Sequence, residues 1–266
     1  MTHKSLTRTD SDTFSEWSYP YPTLLPGTLL KRYKRFLADI ELESGETITA
    51  HCPNTGPMTG VCSVGSRVMV SRSDNPKRKL AYTWELIEVS AEDKPGDRIW
   101  TGINTSLPNR VMRSALESRL FPELGTYDIV KPEVPYGQDK KSRIDFLLTG
   151  TPDGRPIYLE VKNTTWANGR RALFPDCETT RGQKHLRELT DLIPDARAVM
   201  VYFINRGDCD EFSPGDGADP LYGQLLRKAV EKGVEILPCR FQINPNCIRY
   251  NGLADTILIP EPCGNP

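Results

Sequence analysis

The sequence predicts a mixed α/β (α+β) chain in two parts, a small OB-like β-barrel followed by an α/β domain. Three observations carry this reading. The chain has 266 residues, more than one small core needs. Between residues 24 and 90, short alternating or apolar segments are separated by turn signals. Beyond a polar stretch, "AEDKPGDR" at 91–98, the pattern changes to α-β-β-β-α-β-α-β.

Each element follows from local chemistry. Residues 1–22 are Ser/Thr/Asp-rich and lack the apolar core of a signal peptide. They read as a mobile arm that docks late through Trp17, Tyr19 and Tyr21. The barrel, 23–92, is built from "ETITAHC", "SRVMVSRS" and "AYTWELIEV", with turns at Ser44-Gly45, Gly56-Pro57, Gly60, Gly65 and Asn75-Pro76. The α/β domain, 97–245, opens with Asn109 after Pro108 as an N-cap. A helical stripe follows: Val111, Met112, Ala115, Leu116 and Leu120. Strands are predicted around 127–134, 142–149 and 157–164. A helix from about 180 carries Leu186, Leu189 and Ile193 on one face. "RAVMVYFIN", 197–205, reads as a buried central strand. Asp219 caps a further helix that has Pro220 at its first position and Gly233 past its end, and "GVEILPC" is another strand. Residues 246–266 are expected to be a C-terminal tail.

Composition narrows the function classes. Hydrophobic content is 38%, charged content 26% and formal net charge −1, which argues against a polybasic protein. No apolar run reaches the roughly 20 residues of a membrane span. Seven Cys, an odd number without a C-x-x-C pair, rule out a fully paired disulfide framework within one chain and point to a reduced, cytoplasmic setting. Three His without a Cys/His cluster argue against structural zinc.

"IYLEVKNTTW", 157–166, places Tyr158, Glu160 and Lys162 on one strand face and Ile157, Leu159 and Val161 on the other. The preceding "TPDG", 151–154, suits a type I turn. A hairpin centred there pairs residues whose numbers sum to 305, and Asp145 with Glu160 satisfies that sum. Directly opposed carboxylates repel, so a proton or a cation must offset them. Two carboxylates suit Mg²⁺ or Mn²⁺. Lys162, two residues beyond Glu160, would orient a water or stabilise charge on a phosphate. Asp145, Glu160 and Lys162 are thus the catalytic candidates, with Asp145 and Glu160 as metal ligands. A strand salt-bridge cluster without chemistry is the alternative.

Basic patches mark candidate nucleic-acid contacts. "KRYKR" holds Lys31, Arg32, Lys34 and Arg35 around Tyr33, and "NPKRK" adds Lys77, Arg78 and Lys79. Residues 23–90 carry nine basic and seven acidic groups, a net of +2. On an OB-like barrel such groups track phosphates while aromatics stack on bases. Arg170, Arg171, Arg181, Lys184 and Arg187 surround the candidate site in sequence. Arg181 and Lys184 fall near a helix N-terminus that favours phosphate, with Gln183 and His185 as further substrate contacts. A solvated helix face is the alternative. In "HCPNTG", 51–56, Asn54 and Thr55 are either binding residues or turn-formers. His51 and Cys52 point to opposite strand faces and form no nucleophile pair.

The segments "LLKRYKRFLADI", "HCPNTGPMTG", "SRIDFLL", "LEVKN", "FPDCETTRGQKHLREL" and "RAVMVYFINRGD" together make the chain similar to the sugar fermentation stimulation protein family, from about residue 24 to 245. The resemblance implies an N-terminal OB-like barrel and a C-terminal PD-(D/E)xK nuclease-like (restriction-endonuclease-like) domain. It implies DNA binding with little sequence preference and a role in regulating sugar, notably maltose, metabolism. The nuclease-type motif falls on Asp145, Glu160 and Lys162. The expectation is a divalent-metal-dependent phosphodiester hydrolase, and the alternative is a non-catalytic DNA-binding regulator on the same scaffold. Oligomeric state is left open, a homodimer included. One departure stands out: the family often carries an acidic residue on the first helix where this chain has Ser114, with Glu117 three positions on.

Overall fold

A computed structural model describes residues 17–94, 96–137 and 141–259. Residues 1–16 of the expected arm and 260–266 of the expected tail lie outside it. In chain order the strands and helices are β1 (Ser18–Pro20), β2 (Leu24–Tyr33), β3 (Leu37–Leu42), β4 (Thr47–His51), β5 (Arg67–Arg72), β6 (Tyr82–Ser90), β7 (Arg98–Gly102) and α1 (Leu107–Glu117). They continue with β8 (Ile129–Tyr136), β9 (Ser142–Thr149), β10 (Ile157–Thr164), β11 (Trp166–Asn168), β12 (Arg171–Phe174), α2 (Thr180–Thr190) and β13 (Arg197–Ile204). The last are β14 (Glu211–Pro214), α3 (Pro220–Glu231), β15 (Glu235–Ile243), β16 (Cys247–Leu253) and β17 (Asp255–Thr256).

The barrel runs in the order β4-β3-β2-β5-β6-β7, and a parallel pairing of β4 with β6 closes it. Alternation directs Ala38, Ile40 and Leu42 of β3 inward, where they meet Leu29, Val68, Val70 and Trp84. The expected barrel limit at 92 is corrected: β7 pairs with β6 from Ser90↔Arg98 to Leu86↔Gly102. The stretch expected to link the domains is the loop of this hairpin. Its polarity reflects solvent at a hairpin tip, which composition alone does not distinguish from a linker.

The second domain is a seven-stranded sheet, β1-β16-β15-β13-β10-β9-β8, with helices on both faces. Val111, Met112, Ala115 and Leu116 of α1 pack against Phe146, Leu159 and Val161 on one face. Leu186 and Leu189 of α2 and Leu226 of α3 pack with Met200 and Tyr202 on the other. Burial on both faces explains the near-continuous apolar sequence of β13. A smaller sheet, β11-β12-β14-β17, joins the second layer.

Several boundaries differ from expectation. Ser18–Pro20 is an edge strand paired with β16 in the register Ser18↔Arg249, and Tyr21 is buried, so the end of the arm belongs to the second domain's sheet. Three residues show no alternation, and the partner lies over 200 positions away. Likewise Cys247–Leu253 and Asp255–Thr256 are strands rather than tail. Ser106 holds the N-cap position of α1 without a side-chain capping bond, and Leu107 and Pro108 form the first turn, so Asn109 is freed from the expected capping role. Leu120 and Ile193 fall beyond the ends of α1 and α2. The cap predicted at Asp219 is present, accepting from the Tyr222 amide.

The two domains meet at the C-terminal ends of β10 and β13. The Gly102 amide donates to the Asn205 carbonyl at 3.0 Å. A Cβ on Gly102 would lie 2.2 Å from the Asn205 side chain, so only glycine permits this approach. Beside it, Arg206 makes a two-pronged pair with Asp208, both bonds 2.6 Å, and donates to the Thr165 carbonyl at 3.0 Å. Asp208 also accepts the Glu92 amide of the barrel hairpin at 2.8 Å. Both side chains are at most 2% exposed. Asp208→Ala should therefore cost about 3–5 kcal/mol, because it strands a buried guanidinium. The double replacement Arg206→Met/Asp208→Leu should cost far less. Urea unfolding of the three proteins checks this, and a single variant no less stable than the double would refute it.

Candidate functional site

The hairpin register places the carboxylates. β9 and β10 pair as Leu148↔Ile157, Leu147↔Tyr158 and Phe146↔Leu159, each summing to 305 as the turn residues require. Asp145 and Glu160 come next, but the ladder stops before them. The Asp145 side chain enters the gap, and its Oδ2 accepts the Val161 amide at 2.7 Å. Its Oδ1 accepts from Asn109 Nδ2 of α1, also at 2.7 Å. β10 meanwhile stays paired with β13 through Thr164, which fixes Glu160 and Lys162 on a continuous strand.

Glu160 is 3% exposed. Its Oε1 accepts from Lys162 Nζ at 2.7 Å and is also in contact with His185 Nδ1 of α2. A ring nitrogen facing a carboxylate carries a proton, and Nε2 points away from Glu160. The Arg181 Nε–H lies 3.4 Å from that Nε2. Glu160 Oε2 is buried without a hydrogen-bond partner. Burial pushes the Glu160 carboxyl up, yet the Lys162 ammonium and His185 more than offset this and hold it below the usual range. Asp145 goes the other way: burial and the charge of Glu160 push it up to about 6, against the pull of the Val161 amide and Lys162. Tyr136 reports the same environment. Its hydroxyl is buried and unpartnered, and burial and the nearby carboxylates raise its pKa.

Asp145, Glu160 and Lys162 thus come together, with His185 and Arg181 beside them. Asn109 was missed as a site residue, because a polar residue after proline reads equally well as a cap. Other candidates lie elsewhere. Gln183 turns to the Asp219 carboxylate, at 3.0 and 3.1 Å. Lys184 pairs with Glu188, Arg170 with Asp210 and Arg171 with Glu211, and Arg187 lines a groove between α2 and α3. Glu117 is exposed and paired with Arg113, so it does not replace the missing acid at Ser114. The α2 N-terminus is capped by Thr179.

On the barrel, Lys31, Lys34, Arg35, Lys77, Arg78 and Lys79 are exposed. Arg32 is corrected to a structural role: its Nη2 donates to the carbonyls of Arg35, Asn54 and Gly56 at 2.9, 3.0 and 2.9 Å. Loop carbonyls claim its donors because the loop has no strand partner for them. Asn54 forms a turn, accepting the Gly56 amide at 2.9 Å, and also lines a small cleft with Asn163, next to Lys162. The barrel loop at Gly56 lies beside the Asp176 carboxylate, on the segment leading into α2. The six described cysteines are free, and Cys177 is exposed.

The raised pKa of Asp145 has a sign that can be tested. An acid shifted from 3.8 to about 6 penalises the native state once ionised, so this penalty is absent below about 4 and complete above about 6. In metal-free protein, Asp145→Asn should gain stability relative to wild type as pH rises from about 4 to 7. The gain should be on the order of 3 kcal/mol, since the shift spans about two pKa units and each is worth about 1.4 kcal/mol. Melting temperatures in EDTA measure it, and a pH-independent difference would refute it.

Comparisons with known proteins agree with this architecture. The family model for the SfsA N-terminal OB domain matches residues 30–101. The model for the sugar fermentation stimulation protein RE domain matches residues 106–247. The sugar fermentation stimulation protein homolog of Trichormus variabilis is 64% identical over 243 residues, 91% of this chain and 99% of the relative. The homolog of Synechocystis sp. is 61% identical over 244 residues, 91% of this chain and 100% of the relative. The solved structure of Pyrococcus furiosus SfsA in complex with Ca²⁺ aligns with a TM-score of 0.78 and 27% identity, covering 90% of this chain and 98% of that one. On these matches, which run across both domains, the chain belongs to the sugar fermentation stimulation protein family.

Proposed function

We propose that the chain is a DNA-binding protein whose second domain, of the PD-(D/E)xK nuclease type, hydrolyses phosphodiesters with a divalent metal ion. The observation that carries this reading is the meeting of Asp145 with Glu160 and Lys162, where one buried Glu160 oxygen has no partner. An unpartnered carboxylate oxygen beside a second carboxylate fits a hard cation such as Mg²⁺ or Mn²⁺. Among the described residues no group of three His, Cys, Asp or Glu is placed to hold a metal, so Asp145 and Glu160 would be its side-chain ligands and water the remainder. The relative from Pyrococcus furiosus was solved with Ca²⁺, another cation that prefers oxygen ligands.

Such an ion would polarise the phosphate and activate water. The chain's own residues do the positioning. Lys162 holds an ammonium at the Glu160 carboxylate, where it orients the attacking water and stabilises charge on the phosphate. His185 fixes Glu160, and Asn109 fixes Asp145. Lys31, Lys34, Arg35 and the Lys77–Lys79 turn supply phosphate contacts without base readout, which gives salt-sensitive, sequence-tolerant binding. One observation favours a second reading, a non-catalytic regulator of sugar metabolism: both Asp145 oxygens are already engaged within the protein.

Purified protein should nick or degrade DNA with Mg²⁺ or Mn²⁺ and not with EDTA, on at least one of linear, supercoiled and single-stranded substrates. Asp145→Asn and Lys162→Ala should each lower the rate by about a hundredfold or more, in the range seen when one charge-stabilising donor is removed, while DNA binding persists. Binding without metal-dependent cleavage under every condition would leave the regulatory reading.

A further inference from the structure

A groove of about 700 Å³ lies between the barrel, the N-terminal strand and the start of α1. It is separate from the carboxylate site but shares α1 with it: Asn109 reaches Asp145, while Arg110 lines the groove. Glu85 of β6 also lines it and is 4% exposed. One Glu85 oxygen accepts from Ser71 Oγ at 2.6 Å and the other from Asn104 Nδ2 at 2.8 Å. The Tyr21 side chain, 8% exposed, also lines the groove, and its hydroxyl is buried with no partner.

Two guanidinium groups line the same groove. Arg78 donates through Nη2 to Thr83 Oγ1 at 3.0 Å, which ties it to the wall. Arg110 makes no hydrogen bond or ion pair among the described residues, and neither arginine is in salt-bridge contact with Glu85. Two cations against one carboxylate leave the groove with a net charge of +1. A buried hydroxyl left without a partner is unfavourable. A carboxylate with one donor on each oxygen still has lone pairs to offer. The volume lies within the range of small-ligand sites.

We propose that this groove binds a phosphate monoester carried on a hydroxylated, nucleotide-sized body. Arg78 and Arg110 take the phosphate, whose oxygens match the guanidinium fork. Glu85 accepts hydroxyls of the body, and the Tyr21 hydroxyl finds its missing partner there. Two sources offer this chemistry: a free mononucleotide and the 5′-phosphorylated end of a strand. A strand end seated here would lead along α1 toward Asp145.

Calorimetry on the full chain in EDTA tests the proposal apart from any hydrolysis. The probes are adenosine 5′-monophosphate against adenosine, and a 5′-phosphorylated oligothymidylate against its 5′-hydroxyl form. At least one phosphorylated probe should bind about tenfold or more tightly than its counterpart. Preference confined to the mononucleotide pair assigns the free ligand, and preference confined to the oligonucleotide pair assigns the strand end. Arg78→Gln/Arg110→Gln should remove the preference, and Tyr21→Phe should weaken binding about threefold with the circular dichroism spectrum unchanged. Equal affinity for both members of each pair, or a preference that survives the double arginine replacement, would overturn it.

Discussion

The amide of Val161 and the carboxylate of Asp145 share a hydrogen bond of 2.7 Å, and the candidate site depends on it. The amide lies just where the β9–β10 ladder ends, so a side chain takes over from a backbone acceptor. That substitution keeps a strand amide satisfied and draws Asp145 in beside Glu160. Two carboxylates then share poorly hydrated space. The compensating groups gather on one of them: Lys162 and His185 both meet Glu160 Oε1. Asp145 has only neutral donors, Asn109 and an amide, and burial beside the Glu160 charge raises its pKa. The pair is thus split into one firmly ionised carboxylate and one poised near neutrality, an arrangement that recurs where acid and base chemistry share a site.

The surroundings are organised to hold that pair still. β10 is buried on both faces and paired on both sides up to Leu159, so Glu160 and Lys162 stand on a rigid strand. The helix on each face sends side chains to the same point: Asn109 from α1, and His185 and Arg181 from α2. The junction with the barrel is equally specified. Gly102 lies against Asn205, and the buried Arg206–Asp208 pair binds the Glu92 amide, so the barrel is held against the second domain. The first described strand, β1, joins the far edge of the second domain's sheet and closes one side of the groove lined by Arg78 and Arg110.

Much of this was legible in the residues. Turn chemistry in "TPDG" set the hairpin register, because an antiparallel ladder propagates from its turn without further freedom. The strand limits 142–149 and 157–164 and the Asp219 cap follow from local pattern, and the structure has them. The limits of the barrel and the roles of Asn109 and Arg32 do not. A polar hairpin tip and a linker share one composition. Arg32 belongs to a basic run, and only the folded loop brings the Asn54 and Gly56 carbonyls to it.

The sequence by itself determined the β9–β10 hairpin, the three helices and the placing of Glu160 and Lys162 on one strand face, since these rest on periodicity and a local turn. Tertiary structure alone decided which basic groups are free and which are consumed by the fold. It also decided that His185 supports Glu160 from 25 positions away. It placed Ser18–Pro20 on the last long strand and assembled a polar groove from four separate stretches of chain. The reason is physical: these contacts join residues distant in sequence, and their partners are chosen by packing and desolvation, which no local pattern encodes.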